Sequence, residues 1–116
     1  FYFPRFPNPH FRTTNFMINS NDFNEYIKNK KINSKFDVHS IESGYKGLTR
    51  YFKENTFNII VINKDKKKFK INKFHESETF AYKKISKILT SDKQTRNFDK
   101  LSLAEKKSRR KQVWGF

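Results

Sequence analysis

The residue types that could carry out chemistry in this chain are few and scattered. His10, His39 and His75 stand apart, and none has a partner at a metal-ligand spacing such as i, i+4. Cysteine is absent, which excludes disulfides, thiolate metal sites and thiol redox chemistry. Three glycines in the whole chain leave no glycine-rich phosphate loop. Glu76 and Glu78 form a carboxylate pair, but they fall where a helix is expected to begin, and the helix dipole accounts for acidic residues there. The expectation is therefore no catalytic residue, no metal site, no cofactor and no enzymatic activity.

What the chain has in abundance is positive charge. Its 116 residues hold 26 Lys and Arg against 11 Asp and Glu, a formal net charge of +15. Like charges repel in a compact state, so such an excess adds nothing to stability and points to a polyanionic partner, of which nucleic acid is the commonest. The basic residues run from Arg5 to Lys111 without one dense block, as expected of a protein touched by phosphate on several sides. Lysines on a hairpin can meet successive phosphates without reading sequence, which singles out Lys66, Lys67, Lys68 and Lys70. Arginines bond phosphates bidentately and stack on bases, which adds Arg5, Arg12, Arg96, Arg109 and Arg110, with Lys111 beside the last pair.

Aromatic residues make up 17% of the chain, and Phe alone occurs 14 times, too many for a disordered polymer. Phe36, Phe57 and Phe80 are expected in the core. Phe1, Tyr2, Phe3, Trp114 and Phe116 lie in polar or proline-rich ends and are expected on a partner surface. No apolar run approaches the roughly 18 residues of a membrane span.

These side chains need elements to position them. Residues 1–12 (FYFPRFPNPHFR) carry three prolines, which excludes a helix interior or a central strand and predicts an extended arm. Residues 13–19 (TTNFMIN) form a strand candidate. A helix is predicted over 22–31, where Phe23, Tyr26 and Ile27 share one face. The alternation in 35–41 (KFDVHSI) predicts a second strand. Leu48, Tyr51 and Phe52 predict a short helix that ends near Asn55. Residues 57–62 (FNIIVI) read as a central strand covered on both faces, paired as a hairpin with 68–74. Ala81, Ile85, Ile88 and Leu89 predict a long helix over 76–89. Ser102 and Glu105 match a capping box, which predicts a basic helix over 103–111.

The predicted order, β-α-β-α-β-β-α, is that of a small thioredoxin-like α/β domain with a mixed four-stranded sheet. The domain is expected over 13–92, between the arm of 1–12 and a basic C-terminal tail, 93–116, with a short helix. In that order, the chain resembles a thioredoxin-like family of mitochondrial ribosomal proteins that also includes an accessory subunit of respiratory complex I. Phe36-Asp37-Val38 resembles the family's second strand. Ser43-Gly44, Leu48-Thr49-Arg50-Tyr51 and Asn55 resemble its turn and short helix. Residues 57–62 resemble its next strand, and Ile85-Ser86-Lys87-Ile88-Leu89 its closing helix. The stretch Ser108-Arg109-Arg110-Lys111-Gln112-Val113-Trp114 is similar to the tail of the large-subunit member. The family's glycine- and serine-rich helix entry is replaced here by Asn19-Ser20-Asn21-Asp22, and its proline after the Ser-Gly turn by Lys46-Gly47.

The resemblance implies a structural constituent of the mitochondrial ribosome, located in the matrix and bound to rRNA and neighbouring ribosomal proteins. The large subunit comes first. The small subunit and the complex I accessory subunit are the alternatives, and a free RNA- or DNA-binding module of another fold is a third reading.

Overall fold

The computed structural model of the chain describes residues 3–82 and 84–116. Helix accounts for 45% of it and strand for 5%, and the sheet has two antiparallel strands. The thioredoxin-like architecture with a mixed four-stranded sheet is thereby overturned. The chain divides into two compact units. One runs over His10–Asn58 and takes in Phe3 and Pro4, and the other runs over Ile59–Phe116 and takes in Arg5–Pro9.

The first unit is helical. Helix α1 (Ser20–Ile27) starts at Asn19, whose side chain accepts a hydrogen bond from the Asn21 N–H at 2.9 Å. Helix α2 (Lys35–Ser43) occupies the segment whose alternation predicted a strand. The reason is local. Ser34 and Asp37 close a capping box: the Asp37 N–H donates to Ser34 Oγ, and Asp37 Oδ2 accepts from the Ser34 N–H at 2.8 Å and the Asn33 N–H at 2.9 Å. Two orphan donors are satisfied at the helix start, which a strand would forgo. Phe36 and Val38, expected on a covered strand face, are exposed. Residues 13–19 form no strand; they lead into α1, and Thr13 donates through its N–H to Glu42 at 2.7 Å. Helix α3 (Leu48–Glu54) follows the spacing of its apolar residues and ends on Asn55.

The core of this unit is made of rings. Tyr26 and Phe52 are buried with Leu48, and the Tyr26 ring lies 4.9 Å from Tyr51 and 6.1 Å from Phe52. Phe57 packs edge-on against Phe52 at 5.0 Å but is itself largely exposed rather than a core residue. Phe11, Phe16 and Phe23 continue as a ladder with centroid spacings of 5.8 and 5.9 Å. The Phe11 N–H donates to the buried Thr49 hydroxyl at 3.0 Å.

The second unit opens with a hairpin, β1 (Ile60–Ile62) and β2 (Lys68–Lys70), in the register Ile60 with Lys70, Val61 with Phe69 and Ile62 with Lys68. Asn63 builds the turn: its side-chain oxygen accepts from the N–H groups of Asp65 and Lys67, both at 3.1 Å. Strand β1 is shorter than predicted and open on one face, where Ile60 and Ile62 are exposed beside the lysines. A 3₁₀ helix over Ile71–Ser77 follows directly.

Segment 76–89 forms no α-helix among its described residues. Glu78 and Ala81 stand in the left-handed region (φ 57° and 42°), where an L-residue cannot continue a right-handed helix. The backbone groups are bonded across the unit instead. The Lys64 N–H donates to the Lys87 carbonyl at 2.8 Å, and the indole N–H of Trp114 donates to the Ala81 carbonyl at 2.9 Å. Three of the four apolar residues of the predicted helix face still pack, since Ala81 and Ile85 are buried with Phe98, and Phe80, Ile88, Leu101 and Val113 pack around them, while Leu89 is exposed.

Helix α4 (Lys93–Lys100), which the apolar pattern does not announce, is started by a capping box between Asp92 and Thr95. Helix α5 (Leu103–Trp114) is started by the predicted box of Ser102 and Glu105 and ends on Gly115 at φ 86°. It extends three residues past the predicted end, because Val113 and Trp114 have partners within this unit.

Candidate nucleic-acid interface

The two units differ in charge. The first holds eight Lys and Arg against five Asp and Glu, a net +3; the second holds eighteen against six, a net +12. A chain whose basic residues look evenly spread in sequence thus places most of its excess on one folded unit.

Within that unit, α5 supplies the best-defined surface. Leu103, Lys106, Lys107 and Arg110 fall at i, i+3, i+4 and i+7, one face of the helix. Together with Tyr82, Lys84 and Asp99 they line a groove of about 650 Å³. The cap at Ser102 sets where this face begins. The Glu105 carboxyl, bonded by the Ser102 hydroxyl and N–H, is held below the usual carboxylate range. The far end of α5 is fixed by the bond from Trp114 to Ala81 and by Val113 on the core.

The side chains of the groove are held to different degrees. Lys106 donates to the Asp99 carbonyl at 2.9 Å. The Arg110 guanidinium lies 5.6 Å from the centre of the Tyr82 ring, and Arg110 Nε is buried without a hydrogen-bond partner. Tyr82 is backed by an aromatic cluster, with His75 at 5.2 Å and Phe116 at 6.0 Å; His75 in turn meets Trp114 and Phe116. Leu103 is 87% exposed, so the fold makes almost no use of its side chain.

Of the residues singled out in sequence, Arg110 lines the groove, while Arg109 and Lys111 are exposed on other faces of α5, with Arg109 bonded to Gln112 at 3.0 Å. Lys66, Lys67, Lys68 and Lys70 are exposed on the hairpin and its turn, which form a separate basic surface. Arg96 is exposed on α4 and bonds the Ser91 carbonyl at 3.1 Å. Arg5 is exposed, and Arg12, in the first unit, is half-buried. Phe3 packs edge-on against Phe36 at 5.6 Å within the first unit. Trp114 is half-buried and bonded within the second unit, and Phe116 is 55% exposed. Phe1 and Tyr2 lie outside the described residues.

Sequence reasoning missed Lys84, Lys106 and Lys107 as groove residues, together with Tyr82, Asp99 and Leu103. For the three on α5, the signal was available in their spacing along the predicted helix.

The first unit has a smaller cleft of about 200 Å³, lined by Tyr26, Tyr45 and Tyr51 with Lys30, Lys46 and Glu54. Burial pushes the Tyr26 hydroxyl up to about 12, and that hydroxyl donates to the Lys46 carbonyl at 2.8 Å. Lys30 lies over the Tyr26 ring, and burial, followed by the charge of Lys46, lowers its pKa.

Among the described residues, no three His, Asp or Glu side chains are grouped so that they could hold a metal ion, and no helix is long and apolar enough to cross a membrane. No protein-family model, curated protein or solved structure matches this chain significantly.

Proposed function

We propose that the chain is a non-enzymatic RNA-binding protein that works as a structural part of a ribonucleoprotein particle. The observation that carries this reading is the concentration of charge: the unit of Ile59–Phe116 with Arg5–Pro9 holds twelve of the fifteen net positive charges. Two groups of exposed basic residues of that unit, the hairpin lysines and those of α5, lie on different elements, so each can meet its own stretch of phosphate backbone. Neutralising phosphates releases counterions and supplies affinity without sequence readout. The protein then fixes the shape of a folded RNA rather than acting on it.

The finer reading is a constituent of the mitochondrial ribosome, in the matrix, with its large subunit first. It rests on the charge and on the tail motif from Ser108 to Trp114, because the element order that pointed to that family is replaced by helices. The test is to size the particle that carries the chain in a mitochondrial lysate, with and without ribonuclease. A large particle that ribonuclease dissolves is expected, and the rRNA recovered with it identifies the subunit. A particle that survives ribonuclease, as a respiratory complex does, overturns the reading.

A further inference from the structure

The groove between Tyr82, Asp99 and α5 differs from the rest of the basic surface in three ways. It is concave, at about 650 Å³, within the range of roughly 300–1,000 Å³ that holds small ligands. It has apolar walls, the Tyr82 ring and the exposed Leu103 side chain, beside its cations. It also contains a carboxylate, Asp99, which a surface meant only for phosphate has no use for. A backbone-tracking surface needs none of these features. A surface that receives a base with its phosphate needs all three: apolar area for the base face, an acceptor for its amino edge, and cations for the phosphate.

We propose that this groove takes one unpaired nucleotide of the bound RNA, with guanine preferred. The base lies against Leu103 and Tyr82. The two oxygens of Asp99 match the adjacent N1–H and N2–H donors of guanine, whereas uracil offers a single donor between two carbonyls. The phosphate meets the charged guanidinium of Arg110, whose centre lies 5.6 Å from that of the Tyr82 ring, as arginines bond phosphates elsewhere. Lys84 and Lys107, both exposed, stand at the same groove and add charge. The aromatic cluster of His75 and Phe116 behind Tyr82 holds its ring in place before the ligand arrives.

This inference rests on the RNA reading above, and the experiment separates the two. The full chain is titrated against three labelled RNA stems of equal length: one fully paired, one with a single bulged guanosine, and one with a single bulged uridine. Stacking of one base predicts binding to the guanosine bulge about tenfold tighter than to the paired stem, and the Asp99 contact predicts a preference over uridine of about fivefold or more. Leu103→Ala, at an exposed position, removes the preference for a bulge over the paired stem. Asp99→Asn, also exposed, abolishes the preference for guanosine over uridine while binding the paired stem at least as tightly, since it removes a negative charge. A purely electrostatic surface predicts tighter binding of Asp99→Asn to all three stems alike. Equal binding of the wild-type chain to all three stems, with strong salt dependence, overturns the groove and leaves the RNA reading standing. No binding to any stem overturns both.

Discussion

The two units of this chain solve the same problem with different materials. The unit of His10–Asn58 carries a net charge of only +3 and builds its core from rings that meet tilted and edge-on around Tyr26, Tyr51 and Phe52. The unit of Ile59–Phe116 carries +12 and buries Phe74, Ala81, Ile85 and Phe98, wrapped by segments without regular structure and by α4 and α5. Compared with the first unit, charge repulsion works far more against compactness in the second. That unit compensates with local devices: two capping boxes, an Asn63-built turn, and an ion pair between Lys87 and Asp65 at 2.8 Å that ties segment 84–89 to the turn. The difference teaches that net charge and core material are distributed separately here. One unit bears most of the charge, and the other is built round the rings of Tyr26, Tyr51 and Phe52.

The comparison breaks most readily at Phe98. It is 4% exposed in the core of the second unit, and Phe98→Ala is expected to cost about 3–5 kcal/mol. Denaturation followed by the fluorescence of Trp114, the single tryptophan, reports that unit. An unchanged midpoint would mean that the second unit does not depend on this core.

The next largest effect concerns charge. Replacing the exposed Lys107, Arg109 and Lys111 with Gln is expected to weaken binding to structured RNA and to reduce the salt slope by up to about one per residue. Replacing Lys28, Lys31 and Lys35 in the first unit is expected to change the slope much less. Equal slopes from the two triple variants would show that the segregation of charge has no bearing on binding.

A smaller effect is expected at the cap of α4. Asp92 accepts from the Thr95 N–H at 2.8 Å, so Asp92→Ala should cost about 1 kcal/mol. The Trp114-monitored midpoint in denaturant checks this, and a loss near zero would place the stability of α4 in its packing alone.

The smallest effect sharpens the comparison from the side of the first unit. Its Tyr26 hydroxyl is raised from an ordinary 10 to about 12 by burial. The folded form keeps the proton that the unfolded form gives up, so this contribution is complete below about 10 and is lost as pH rises through about 12. Tyr26→Phe should therefore flatten the alkaline part of a circular-dichroism pH titration. An unaltered alkaline limb in that variant would rule the hydroxyl out as its source. In acid the sign is opposite. The carboxyls of Asp37, bonded first by the Ser34 hydroxyl, and of Asp65, bonded first by Lys87, are held low, so what they add is lost as pH falls below the usual carboxylate range.

Features set by a few neighbouring residues were legible in the sequence. The box of Ser102 and Glu105, the i, i+3, i+4 set of Leu48, Tyr51 and Phe52 with Asn55 at its end, and the pairing of 60–62 with 68–70 are all present. Each needs only a cap, a stripe or a turn, which the chain specifies over eleven residues or fewer. The box of Ser34 and Asp37 was equally local, but the alternation of Phe36 and Val38 matched a strand, and seven residues are too few for periodicity to separate the two.

The rest depended on tertiary structure. Ala81 and Ile85 were correctly expected to be buried, yet the backbone that buries them is not a helix, because its hydrogen bonds are made to Lys64 and Trp114, far away in sequence. The groove was hidden for the same reason, since Tyr82 and Lys84 reach α5 only through that irregular segment. The sum of charges could be counted along the chain, and it points to a polyanion as the partner to look for. The concentration of that charge could be counted too, since the second unit is one continuous stretch apart from Arg5–Pro9. Which side chains share one surface was decided by packing, because Tyr82, Lys84 and Asp99 meet the α5 face only in the folded chain.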